Sequence, residues 1–201
     1  MLNKYRYPAT LLVLLATAPA RAELFVRDDI ITAPTPDAFS VCFDHTCASV
    51  AGVSLTPDEW RAATLPLKQP AATAVAERAA IAESIALLEA IVGRYTGTHR
   101  DRGRNLPGIG QAGQLDCIDE STNSTTYLRL LERDGLLRHH RVGKRSTRFG
   151  LFIGMPHTTA VIVEAGSERR YAVDSWFLDN GQPPFIAELE HWKAGAAPDD
   201  H

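Results

Sequence analysis

Apolar side chains recur three and four positions apart between Ala71 and Tyr95, where Ile81, Ile85, Leu88, Val92 and Tyr95 fall on one face. That spacing predicts an amphipathic helix packed on a core, with Gly97 placed to end it. A second helical run is expected from about Cys117 to Arg133, with Leu128 and Leu131 inward and Gly135 as its stop. Ser121 and Ser124 lie on the face below Cys117, which suits close packing against a sheet. A shorter helix starts at Thr56-Pro57-Asp58-Glu59, a capping Thr followed by Pro and two acids, and Pro66 and Pro70 stop it early.

From Leu136 the period changes. Leu136–Val142, Phe149–Ile153, Thr158–Glu164 and Arg170–Trp176 read as short strands. Gly143, Gly154-Met155-Pro156, Ala165-Gly166-Ser167 and Asn180-Gly181 punctuate them. Helices first and an antiparallel meander second make an α+β layout. Residues 23–55 read as extended, since Pro34 and Pro36 break any helix. Residues 97–115 form a Gly- and Arg-rich loop of a length that is uncommon without a function. The tail Ala194–His201 is expected to fray.

The N-terminus carries Lys4 and Arg6, an apolar stretch Ala9–Ala18 and the small-x-small triplet Ala20-Arg21-Ala22. This pattern predicts a signal peptide over residues 1–22, cleaved before Glu23, and a periplasmic or secreted product. The stretch is shorter than the ~20 apolar residues a membrane span needs, so no span is expected in the mature chain. The remainder, 23–201, reads as one domain: a disulfide-tied segment with helices over 23–95 and a catalytic core over 96–192. A net charge of −3 gives no case for a nucleic-acid partner.

Export gives meaning to the three cysteines. Cys42 and Cys47 are near enough in sequence to close a small disulfide loop, which leaves Cys117 over. Metal binding by Cys42, His45 and Cys47 is the rival reading. It lacks a fourth ligand and matches no zinc spacing, so neither metal nor cofactor is expected.

Cys117 opens a helix after a Gly-rich loop, where peptide dipoles favour thiolate. His157 heads one strand and Asp174 lies on the next, 17 residues on, the span of a hairpin. Nucleophile, base and base-orienting acid follow in that order. The backbone N–H of Cys117 is the expected oxyanion donor, with a side-chain partner from Gln111 or Gln114. Trp176, two residues after Asp174, is placed to shield the His–Asp contact or to fill core.

The segments Gly113-Gln114-Leu115-Asp116-Cys117-Ile118-Asp119 and Leu130-Leu131-Glu132-Arg133-Asp134-Gly135-Leu136 resemble the nucleophile helix of the transglutaminase-like superfamily. His157 before an apolar strand and Tyr171-Ala172-Val173-Asp174-Ser175-Trp176 resemble its His and Asp motifs, so the likeness spans about residues 110–180. It implies a papain-like α+β core, a nucleophile helix on an antiparallel sheet, and thiol acyl transfer. In exported bacterial members that chemistry most often hydrolyses a peptide or amide bond of a peptide, protein or cell-envelope substrate. The calcium dependence of the large animal enzymes does not carry over, because no clustered oxygen-ligand motif is present. Two alternatives stand beside it. An NlpC-type cell-wall amidase or endopeptidase shares the Asp-Cys helix start but usually has a second His as third member. An inactive periplasmic binding or scaffold module would keep the fold alone.

Between Arg129 and Arg148, seven basic residues face only Glu132 and Asp134. A solvated hairpin face is the expectation, with an anionic substrate as the other use. Asn123-Ser124-Thr125 matches a glycosylation sequon, but its helical context argues against use.

Overall fold

The computed structural model describes residues 27–105, 110–149 and 156–198. The expected signal peptide and residues 150–153 of the expected second strand lie outside the described residues. The fold is α+β. Strands β1 (Phe39–Phe43) and β2 (Ser49–Val53) form an antiparallel hairpin whose connection is closed by the Cys42–Cys47 disulfide. Those cysteines are therefore not metal ligands.

Helix α1 (Pro57–Ala63) begins on a capping box. Glu59 N–H donates to Thr56 Oγ1, and the Glu59 carboxylate accepts from Thr56 N–H at 2.9 Å. A 3-10 turn at Leu65–Leu67 follows, with Pro66 inside it. Helix α2 (Ala74–Thr96) starts three residues later than expected because Thr73 is its cap, accepting from Ala76 N–H. Gly97 ends it at φ 82°, a left-handed conformation that glycine adopts without cost. Ile81, Ile85, Leu88 and Val92 are buried as their spacing requires. Tyr95 is not: it is 55 % exposed, and its hydroxyl donates to Glu59 Oε1 at 2.6 Å. One residue before the helix end, the phenol reaches past the core to α1.

Helix α3 (Cys117–Arg133) has the bounds its sequence predicts and ends in a Schellman turn, with Gly135 N–H on Glu132 O and Leu136 N–H on Leu131 O. It is the central helix. Every residue from Asp119 to Leu131 except Arg129 is buried, including the polar run Ser121–Thr126. Such burial costs little where hydroxyls are satisfied. Ser121, Thr125 and Thr126 donate to the carbonyls of Ile118, Ser121 and Thr122 one turn back.

The sheet comprises β3 (His140–Val142), β4 (Ser146–Phe149), β5 (Pro156–Glu164), β6 (Arg170–Asp174) and β7 (Phe185–Glu188), all antiparallel. β3 pairs with the far half of β5 and β4 with its near half, so the two are successive pieces of one edge. The chain crosses between them at Gly143, where a Cβ would lie 2.9 Å from a Val161 methyl. β7 and the short helix α4 (Leu189–Lys193) were not expected from sequence.

Both sheet faces are covered. Ala160 and Ile162 join the core shared with α2 and α3, while Val161 packs with Ala172, Leu189 and Trp192 on the other side. This is why Ala160–Val163 of β5 read as a continuous apolar run. The described part of the tail is tied down rather than frayed: Ala196 O accepts from Arg148 Nη1 at 3.0 Å and Pro198 O from Arg104 Nη2 at 2.8 Å. Among the described residues no helix is long and apolar enough to cross a membrane.

Candidate active site

The first turn of α3 fixes Cys117. Asp116 is the N-cap, and its Oδ1 accepts the N–H groups of Ile118 and Asp119, both at 2.9 Å. Its carbonyl takes the Glu120 N–H. The Cys117 N–H remains beside its own sulfur. The thiol reaches the edge of β5 at the two peptide groups flanking His157. It donates to the Pro156 carbonyl at 4.0 Å, and the Thr158 N–H faces the sulfur.

The thiol is nevertheless not activated in this arrangement. Burial pushes Cys117 up to about 11; the Asp116 and Asp174 carboxylates act in the same direction and the Thr158 N–H against it. The lowered thiol pKa expected from the helix N-terminus is corrected on that ground. Asp116 already occupies the amides whose dipoles were to favour the thiolate, and it adds a negative charge beside the sulfur.

His157 and Asp174 come together as the hairpin spacing predicts. The register pairs Ala160 with Val173, which puts Asp174 diagonal to His157 on the same sheet face. His157 Nε2–H donates to Asp174 Oδ2 at 2.7 Å, with both side chains buried. A carboxylate there holds the proton on Nε2 and leaves Nδ1 as the basic nitrogen. Trp192 Nε1–H donates to the same Oδ2 at 2.7 Å. The rings of Trp176, Phe177 and Trp192 stand 4.9, 5.4 and 5.5 Å from the imidazole, centroid to centroid. Trp176 thus occupies the shielding position its place in the sequence suggests. Trp192 was missed, since a lone Trp near the end of the chain gives no local sign of reaching the site.

The disulfide loop is docked on the same helix turn. Asp119 accepts from His45 N–H at 2.9 Å and Cys47 N–H at 2.6 Å, and Asp116 Oδ2 accepts from Thr46 N–H at 2.8 Å. Asp44, His45, Thr46 and Cys47 all have positive φ, between 53° and 65°. Four successive non-glycine residues in that region are costly, and the disulfide and the two carboxylates hold them there. Asn123 completes the dock, accepting from Cys42 N–H at 2.7 Å and donating to Cys42 O at 2.8 Å. Its amide is buried and doubly bonded, so the sequon is structurally spent.

Of the oxyanion candidates, Gln114 is a loop clamp. Its Nε2 donates to Arg100 O at 2.8 Å, and its Oε1 accepts from Arg102 N–H and the Asn105 amide. Gln111 is exposed, and its carbonyl accepts the Gln114 N–H.

A buried acid cluster, not foreseen from sequence, lies behind the His157–Asp174 pair. Burial pushes Glu89 on α2 and Asp101 in the following loop up to about 7 each. Glu120 on α3 is pushed well above its usual range by burial and by the charges of Glu89, Asp101, Asp119 and Asp174. Asp119 is also pushed up to about 7, its burial and Asp116 outweighing its N–H donors. Glu89 Oε2 accepts from Gly181 N–H at 3.1 Å, and Ser124 bonds Ser175, next to Asp174.

The basic stretch is only partly a solvated face. Arg141 pairs with Glu168, Arg145 turns inward to Thr122 Oγ1, and Arg148 is 3 % exposed. Among the described residues no group of three His, Cys, Asp or Glu side chains is arranged to hold a metal. Comparisons with models of known families, with curated proteins and with solved structures find no match. Function has therefore to be read from the site itself.

Proposed function

We propose that this chain is an exported thiol-dependent acyl-transfer enzyme that hydrolyses a peptide or amide bond through Cys117, His157 and Asp174. The observation that carries the reading is the buried His157–Asp174 hydrogen bond, one peptide group from the contact of Cys117 with β5. In this reading His157 Nδ1 takes the thiol proton, and the sulfur attacks the acyl carbon. The Cys117 N–H, left free by the cap, donates to the oxyanion. The imidazolium returns its proton to the leaving amine, and water then cleaves the thioester. The α+β layout, with α3 packed on an antiparallel sheet, supports the transglutaminase-like, papain-like assignment. An acid as third member speaks against the NlpC-type alternative. The test is turnover of peptide amides or esters by disulfide-intact protein, with acyl-enzyme trapped on Cys117 and lost in Cys117→Ala.

One observation favours a second reading, an inactive binding or scaffold module. The resting thiol is pushed up to about 11 and bonds the Pro156 carbonyl, not the imidazole. Failure of every acyl donor to label Cys117, in protein with an intact His157–Asp174 pair, would select that reading.

A further inference from the structure

Arg148 is the one buried cation facing the triad that no carboxylate pairs with among the described residues. On β4 it stands opposite His157 on β5, so the two side chains leave the sheet on the same face. Its Nη1 donates to the carbonyls of Trp192 and Ala196, while Nε and Nη2 are buried with no acceptor. The guanidinium lies 4.2 Å from the centre of a Trp192 ring and 5.7 Å from that of Phe177. Trp192 in turn lies 5.5 Å from the imidazole, which bounds the guanidinium–imidazole separation at about 10 Å. A buried guanidinium with no carboxylate in contact costs stability, and cation–π contacts offset only part of that cost. Its position by the site therefore calls for a use.

We infer that Arg148 is a positioning residue that keeps His157 available as a base, its buried charge offsetting the pull of Asp174 on a proton at the imidazole. A desolvated carboxylate at 2.7 Å strongly favours imidazolium, and a ring that is already protonated cannot accept the thiol proton. Arg148 acts against this twice. It repels a second cation on the ring, and it partly neutralises Asp174, whose charge it feels directly. The other groups facing the pair are Cys117 with Asp116 at the head of α3, Glu120 beyond Asp174, and the Trp192 N–H on α4. None of these is a cation. The inference rests on the triad reading of the site.

The test is proton NMR titration of the His157 ring in mature, disulfide-intact Cys117→Ala protein, the ring being assigned by its loss in His157→Gln. Adding Arg148→Met, close in length and apolar, should raise the midpoint by about one pH unit, the effect of one charge at ~10 Å in a protein-like medium. Arg148→Lys, which keeps the charge, should stay within a few tenths of a unit of the parent. An unmoved midpoint in folded Arg148→Met would overturn the inference. Loss of cooperative unfolding in both variants would do so too, by making Arg148 a structural clamp. The triad is tested separately by alkylating Cys117 in Arg148-containing protein with and without His157→Ala. Indifference there removes the triad and the inference with it. A response there with an unmoved ring in Arg148→Met removes the inference alone.

Discussion

Trp192 and His157 donate to the same oxygen of Asp174, each at 2.7 Å, one from 18 residues after it and the other from 17 residues before it in the chain. One carboxylate atom thus orients the imidazole and anchors α4, so the closing helix belongs to the site. With Oδ2 doubly bonded, Asp174 has little freedom to turn away from the ring.

That arrangement gives a first prediction. Trp192→Phe keeps most of the buried ring and removes only the indole N–H. Losing a hydrogen bond to a charged acceptor should cost about 1.5–3 kcal/mol, read as a lowered urea midpoint with an unchanged slope. On the proposed acyl-transfer reading, activity should fall as well, since Asp174 loses one of the two bonds that anchor Oδ2. A midpoint equal to that of the parent would mean that the indole contact is not formed in solution.

Asn123 offers a second prediction. Asn123→Ala strands the N–H and C=O of Cys42, both inside the disulfide dock. Two buried backbone groups left without partners at ~1–3 kcal/mol each should make this one of the more damaging substitutions in the chain. The disulfide should still form, and intact mass after alkylation without reductant should add one label per chain. Three labels would show an open Cys42–Cys47 pair and contradict the fold around α3.

How far the sequence carries depends on how local the causes are. α1, α2 and α3 were legible because their caps sit within four residues of the helices they end: Thr56 with Glu59, then Gly97, then Gly135. The His157–Asp174 pair was legible because a hairpin fixes which residues lie side by side. Trp192 and Arg148 were not. Each reaches the site through packing between elements distant in the chain, and neither has a neighbour in sequence that reveals it. The same holds for Glu89 and Glu120, whose carboxylates are brought near one another only when α2 and α3 pack together. Cys117 opens α3 as expected, but its thiol is pushed up rather than down, because burial first and the Asp116 charge after it outweigh the helix dipole.

The acid cluster makes stability depend on pH in a definite sense. Glu89, Asp101 and Asp119 are pushed up to about 7 in the folded chain, and Glu120 is pushed higher still, against ~4 when unfolded. A raised folded-state pKa gives stability that is fully present below the unfolded pKa and is lost as pH rises through the folded one. Glu164 works in reverse. Bonds from Ser167, Arg169 and Arg78 hold it down to about 2, so its contribution is lost as pH falls from ~4 to about 2. Stability should therefore peak in mildly acidic solution near pH ~4–5 and decline toward pH ~8. Glu120→Gln, neutral at every pH, should flatten the alkaline decline. Urea midpoints from pH 3 to 9 would check this, and a midpoint that rises steadily to pH 8 would contradict a protonated cluster.

The last prediction separates the capping role of Asp116 from its charge. A thiol pushed up to about 11 should react slowly with iodoacetamide at neutral pH, gaining about tenfold per pH unit as the thiolate fraction grows. Asp116→Asn keeps the cap through its amide oxygen, because Asn serves as well as Asp at that position, and gives up only the bond from Thr46 N–H. It removes the negative charge beside the sulfur, so the N-terminal dipole of α3 is no longer offset there. A charge at a helix N-terminus is worth ~0.3–1 kcal/mol, so alkylation at a fixed pH near 8 should quicken by roughly two- to fivefold. Asp116→Ala removes cap and charge together, and should quicken alkylation while lowering the stability measured by urea unfolding by ~1 kcal/mol. A rate that stays constant in Asp116→Asn would mean that burial alone holds the thiol back. The opening of α3 would then have no electrostatic part in setting the reactivity of the Cys117 thiol.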